Sequence, residues 1–287
     1  SHEPKICKMI RFMDEYYEIR RNIVKELIEF RRKPTATDEK ASSDFAILRA
    51  KDVNTFYINA QMKGISCSQN SLKALVDSDY AKPFNPFTHY FFSLPTWNGK
   101  TDYIAQLAQR VKTTDPDFFI DSLRHWLVGM VACAIDDKVQ NQQLLLLHGG
   151  QGSGKSTFIR KLLPPELDTY YRCGMIIPEN KDHLLQLSSS LIIDLDEFDT
   201  LPSWQMQSLK RLIVQGVVTE RKVFDLQMNN FIRRASFIAS TNDQHFLVDI
   251  LENRRYLINT ILSIDNSGPV NHQGIYAQAL ALYRQGY

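Results

Sequence analysis

A chain of 287 residues is long enough for two domains, or for one large domain with an appendage. Its 44% hydrophobic and 23% charged content is ordinary for a soluble globular protein. A net charge of +2 does not mark a nucleic-acid binder, so any DNA-contacting surface must come from local clustering or from assembly into a ring. The longest apolar stretch, Trp126–Ile135, is far short of a membrane span, and no membrane partner is expected. No signal peptide opens the chain, and the absent initiator Met fits a piece cut from something longer. Cys7, Cys67, Cys133 and Cys173 show no C-x-x-C pair and no His at ligand spacing; they read as reduced, buried thiols of a cytoplasmic protein rather than zinc ligands.

Residues 1–82 are expected to form a mainly helical N-terminal region. Ile6, Ile10, Met13 and Tyr17, then Ile23, Leu27 and Phe30, have helical spacing and predict one amphipathic helix over 6–30. Arg31-Arg32-Lys33 reads as its solvated end, and Pro34 stops it. Residues 35–43 read as a linker, and 44–79 as short helices, with Ser71 the N-cap of the last. Residues 83–140 form a helical segment packing on the core. Its aromatic stretch punctuated by Pro83, Pro86 and Pro95 is too Pro-rich for a regular element, whereas Asp117–Ile135 is a strong buried helix. In residues 141–287, candidate strands at 144–148, 169–173, 190–196, 235–241 and 255–260 alternate with helices near 155–163, 181–187, 203–215 and 272–284. That alternation predicts an α/β fold: a parallel sheet flanked by helices.

The first of those strands runs into Gly149-Gly150-Gln151-Gly152-Ser153-Gly154-Lys155-Ser156, which matches the phosphate-loop pattern G-x-x-x-x-G-K-[ST] in its strand–loop–helix setting. Glycines let the backbone wrap a polyphosphate with its amides pointing inward, aided by the helix N-terminus, which Thr157 helps to open. Lys155 would reach the β- and γ-phosphates of ATP, and the Ser156 hydroxyl would ligate Mg²⁺. The run Leu191–Asp199 is an apolar strand ending in acids, as a Walker B segment should be. Asp196 is expected to organise the metal with Asp194 as a supporting or alternative acid, and Glu197 to activate water; Asp199 reads as a cap. Asn242, ending the strand Phe237–Thr241, fits a polar sensor that orients water without changing charge. Arg254 and Arg255 fit an arginine finger offered to a neighbouring subunit; a surface ion pair with Glu252 or Asp249 is the alternative.

In this order the motifs resemble the virulence-associated E family of P-loop ATPases, relatives of the superfamily 3 helicases within the AAA+ class, over roughly residues 83–287. Asn180-Lys181-Asp182 looks like that family's Lys-Asp element. Leu209-Lys210 with Glu220-Arg221-Lys222-Val223-Phe224 looks like the region that such helicases use to contact DNA. Leu94–Gly99 resembles its opening motif with Asn98 where Asp is usual, and Ile275–Leu280 its closing helix with Gln278 where an acid is usual. The resemblance implies an oligomeric ATPase, a hexamer above all, coupled to single-stranded DNA in replication of phage or mobile-element type, with a primase module outside this chain. Lys210, Arg221 and Lys222 are the candidates for facing DNA, with Arg233 and Arg234 behind them; ordinary solvated surface is the alternative for all five. A nucleotide-switched interaction protein and a P-loop kinase are the rival functions.

Overall fold

The computed structural model describes residues 3–34, 44–177, 180–195, 203–214, 216–220, 229–243 and 255–287, with 203–206, 218–220, 229 and 230 described by backbone alone. The chain divides into two compact units, Ser1–Pro86 and Phe87–Tyr287.

Among its described residues, the first unit combines three helices with a sheet. Helix α1 (Lys5–Tyr16) is followed by β1 (Tyr17–Asn22), β2 (Leu27–Arg32), β3 (Ala46–Ile47), α2 (Ala50–Met62), α3 (Gln69–Val76) and β4 (Lys82–Phe84), and the strands form one sheet of order β3-β2-β1-β4. The single helix expected over 6–30 is therefore a helix plus an antiparallel hairpin. Asn22 makes the turn: its Oδ1 accepts from the amides of Val24 and Lys25, at 3.1 Å each, and Glu26 takes a positive φ of 51°. Met9, Phe12 and Met13 of α1, Tyr17 and Ile19 of β1, and Val53, Phe56 and Leu72 of α2 and α3 share one buried core. Ser68, not Ser71, caps α3, its Oγ accepting from the Ser71 amide at 3.1 Å.

The second unit is a mixed α/β domain. Its elements are α4 (Pro86–Ser93), α5 (Tyr103–Ala108), β5 (Val111–Thr113), α6 (Pro116–Ile135), β6 (Leu144–His148), α7 (Lys155–Leu162), β7 (Tyr171–Cys173), α8 (Lys181–Ser189), β8 (Ile192–Leu195), α9 (Ser203–Val214), β9 (Val217–Glu220), β10 (Asn229–Ile232), β11 (Ser236–Thr241), β12 (Tyr256–Ile264) and α10 (His272–Arg284). The Pro-rich aromatic stretch thus contains a regular helix, α4, because Pro86 sits at its first position, where no amide donor is needed. Six strands form a sheet of order β5-β12-β6-β11-β8-β7. The β12–β6, β6–β11, β11–β8 and β8–β7 pairings are parallel, and β5 closes the edge antiparallel to β12.

Leu144 to Leu147 are wholly buried in β6, between β11 and β12, as an unbroken apolar run in a central strand requires. Leu144 and Leu146 pack with Ile193, Leu195, Phe237 and Ala239 against Leu209, Leu212 and Ile213 of α9. Helix α6 is long and apolar enough to cross a membrane, but its side chains from Phe119 to Ala134 are largely buried within the domain. Trp126 ties it to β11, its indole N–H donating to the Phe237 carbonyl at 2.7 Å.

Arg233 and Arg234 are not on a DNA-facing surface. Arg233 is wholly buried, and its guanidinium donates to the carbonyls of Leu212 (3.0 Å), Ile213, Ala235 (3.0 Å) and Asn141 (2.8 Å). Arg234 donates to the Ala134 carbonyl at 3.0 Å and to Asp137 at 2.9 Å. The doublet caps the last carbonyls of α9 and α6, which the helices cannot satisfy themselves. Nor are the thiols uniformly buried: Cys133 is, but Cys7 and Cys173 are exposed.

Candidate phosphate-binding site

Parallel register sets the site. Leu147 and His148 of β6 lie opposite Ser240 and Thr241 of β11, so the polar end of β11 stands beside the start of the loop that follows β6. The Gly149 amide extends that pairing, donating to the Thr241 carbonyl at 3.1 Å. Gly152 and Gly154 then take φ of 77° and 91°, a region costly to side-chain-bearing residues, and the loop folds back to open α7 at Lys155. Gln151 to Thr157, together with Ser240, Thr241 and Asn242, line a cavity of about 420 Å³. The Ser156 and Thr157 side chains are exposed at this wall.

Lys155 stands at its centre and is only 7% exposed. Its ammonium donates to the carbonyls of Gly149 (2.6 Å) and Gly150 (3.0 Å), to Ser153 Oγ (3.1 Å) and to Asn242 Oδ1 (2.9 Å). Burial lowers its pKa from the ordinary lysine value. A cation held by neutral oxygens in a partly desolvated cavity is a strong attractor for a polyanion. Asn242, 87 residues away in sequence, thus reaches the same ammonium as the loop carbonyls.

Strand β8 lies on the other side of β11, with Asp194 opposite Ile238 and Leu195 opposite Ala239. The Asp194 carboxylate is 5% exposed, and its Oδ2 accepts the Tyr171 hydroxyl at 2.7 Å. Burial, then the neighbouring carboxylate, push the Tyr171 pKa upward, so the phenol remains a donor. The Arg160 guanidinium lies 4.5 Å over the Tyr171 ring and links α7 to this pair. Asp196, Glu197 and Asp199 lie outside the described residues, as do Arg221, Lys222 and Arg254. Lys210 is half-buried on α9. The segment carrying Arg221 and Lys222 joins β9 to β10, whose ends pair through Glu220 and Asn229.

Arg255 is half-buried, just before β12, and its carbonyl accepts from the Leu144 amide at 2.8 Å. Tyr256 pairs with Leu144 and Thr260 with His148. Arg255 therefore enters the sheet at the end opposite the phosphate loop, roughly 13 Å away along the strand at about 3.3 Å per residue.

Several residues of the site give no local sequence signal. Asn266, beyond β12, donates to the Gly154 carbonyl at 3.0 Å. His148 is buried, 5% exposed, and neither ring nitrogen has a hydrogen-bond partner among the described residues. Burial and the Lys155 charge hold its pKa below the ordinary 6.5, with Asp243 opposing. The native state therefore binds this proton more weakly than the unfolded chain does. Its contribution to stability is complete above pH 6.5 and is lost as pH falls below that value toward the depressed native pKa. Melting temperatures across pH 7.5–5.5 should drop more steeply for the native protein than for His148→Asn; parallel profiles would refute the assignment.

Other residues of the expected motifs have local structural tasks. Asn180 caps α8, accepting from the Asp182 and His183 amides. Asn98 accepts from the Lys100 and Thr101 amides in a turn where Gly99 has φ of 70°. Gln278 donates to Asp102 at 2.8 Å and accepts from the Ile104 amide at 3.0 Å. A carboxylate at 278 would accept but could not donate to Asp102.

The fold and site define a mixed α/β domain with a glycine-lined, lysine-centred cavity at the tips of its central strands. Residues 92–287 match the family model of the virulence-associated protein E-like domain, and the chain belongs to that family. Among solved structures, the apo C-terminal region of NrS-1 (305-718) covers 98% of this chain and 67% of its own, with a TM-score of 0.56 at 11% identity. The A form of the apo NrS-1 C-terminal region gives a TM-score of 0.54 at 12% identity, covering 99% and 70%. At these identities the likeness is one of fold. No curated protein matches the chain.

Proposed function

We propose that this chain is a Mg²⁺-dependent ATPase on a P-loop scaffold of the AAA+ and superfamily 3 type, working as a homo-oligomeric ring, a hexamer in our reading, on single-stranded DNA during replication of phage or mobile-element type. The observation that carries the reading is the Lys155 ammonium, held by two loop carbonyls and by Asn242 in a cavity lined by the loop residues Gln151 to Thr157. A triphosphate entering there gives the lysine anionic oxygens in place of neutral carbonyls, which is the stronger interaction. The loop amides and Lys155 bind the phosphates.

Ser156 and Asp196 would hold magnesium. The fit is favourable for Ser156, which lines the cavity, whereas the Asp194 carboxylate is already engaged by Tyr171. Bound magnesium supplies positive charge to the phosphoryl oxygens as the bond breaks. Glu197 takes the proton of the attacking water, and Asn242 orients that water. Because Arg255 enters the sheet about 13 Å from its own loop, it or its neighbour Arg254 serves as the finger to a neighbouring subunit's nucleotide. Lys210, Arg221 and Lys222 face the DNA.

The test is phosphate release with and without single-stranded DNA, together with the solution mass under each condition. Stimulation of several-fold with a mass of several chains is expected. Hydrolysis by a single chain, indifferent to DNA, would replace the motor by a nucleotide-switched module, and a phosphorylated acceptor without free phosphate would replace it by a kinase.

A further inference from the structure

The stretch from the end of β12 into the first turns of α10 grips the phosphate loop and its helix from outside. Asn266 donates its side-chain amide to the Gly154 carbonyl at 3.0 Å, and its own carbonyl accepts the Lys161 ammonium. Six residues on, a His272 ring nitrogen lies 2.8 Å from the Lys161 carbonyl, and the Tyr276 hydroxyl donates to the Leu162 carbonyl. Helix α7 is thus held at both ends by one short segment of chain.

The contact at Gly154 has a direct consequence for the cavity. The Gly154 carbonyl accepts from two donors, the Asn266 amide and the Phe158 backbone amide at 3.0 Å. The peptide between Gly154 and Lys155 is trans and planar, so its C=O and N–H point in opposite directions. Fixing the carbonyl toward Asn266 and Phe158 fixes the Lys155 N–H away from them, out of the helix N-terminus that the loop encircles. The seat is close: a Cβ on Gly154 would lie 2.7 Å from the Asn266 side-chain nitrogen and 3.3 Å from the Ile264 Cβ.

We propose that Asn266 is a positioning residue of the nucleotide site, which aims the Lys155 amide at the phosphates and so sets affinity for nucleoside di- and triphosphates without entering the chemical step. This rests on the nucleotide-binding reading of the loop. ADP and ATP share the phosphates nearest the loop amides, so the effect falls on both.

Equilibrium titration of the full chain with Mg-ATP and Mg-ADP, beside nucleotide-free melting and steady-state kinetics, tests it. Asn266→Ala is expected to weaken both nucleotides about five- to tenfold, the scale of one lost hydrogen bond. KM should rise while kcat at saturation stays within about twofold, as for lost uniform binding. Asn266→Asp, which turns the donor into an anion, should weaken them further. Lys161→Ala loosens the same segment without touching the Gly154 carbonyl and should retain the native affinity. If Asn266→Ala binds as the native chain does, or if Lys161→Ala loses affinity equally, the proposal is overturned and the loop assignment stands. If the native chain binds neither nucleotide, the loop assignment itself fails and takes the proposal with it.

Discussion

Lys155→Ala is expected to reduce ATP hydrolysis by about 10²–10³-fold or more, the loss that follows removal of one preorganised transition-state donor. Two effects add in this variant. The triphosphate loses its one loop-borne cation, and four oxygens from Gly149, Gly150, Ser153 and Asn242 lose the donor they share. The second effect reaches further than the loop, because Asn242 belongs to the tip of β11 while the carbonyls belong to the end of β6. Without the ammonium, nothing in that set joins the sensor position to the phosphate site. Binding of ATP should therefore weaken along with turnover. Phosphate release and ATP titration measured on one preparation check both, and turnover within tenfold of the native rate would remove Lys155 from the active site.

The loop was legible because its information is local. One apolar run, a fixed spacing of glycines and a Lys-Ser pair lie within thirteen residues, and the register of β6 against β11 follows from two buried strands. The hairpin of the first unit was not. Ile19, Ile23, Leu27 and Phe30 satisfy helical spacing as well as the alternation of Tyr17 with Ile19 and of Ile28 with Phe30 satisfies strands, and no Gly interrupts the run. The turn is made by Asn22 and by Glu26 with positive φ, neither of which announces itself.

Arg233-Arg234 misleads for a related reason. A basic doublet reads as surface, yet it borders the largely buried strand β11, and backbone carbonyls rather than acids take most of its donors. Asn266 had no signal at all, since its contact spans 112 residues of sequence.

Gly149 carries the second large effect. The loop's first glycine has no positive φ to explain it; what it has is a neighbour. A Cβ there would stand 2.2 Å from the Ile261 carbonyl oxygen, in the middle of β12, where backbone cannot swing aside as a flexible side chain would. Gly149→Ala must therefore displace either β12, which carries β5 on its other edge, or the loop, whose Gly149 carbonyl holds Lys155. An overpacking cost of about 1–3 kcal/mol corresponds to a melting temperature lower by roughly 3–10 °C for a domain of this size. ATP affinity should fall in the same variant because Lys155 moves with the carbonyl. Gly150 supplies the contrast: nothing lies within 4 Å of a Cβ built there and its φ is not positive, so Gly150→Ala should leave the melting temperature within about 2 °C. Melting and ATP titration of the two variants separate a glycine required by packing from one required by none. Equal melting temperatures would mean that β12 yields where its backbone carbonyl stands against the loop.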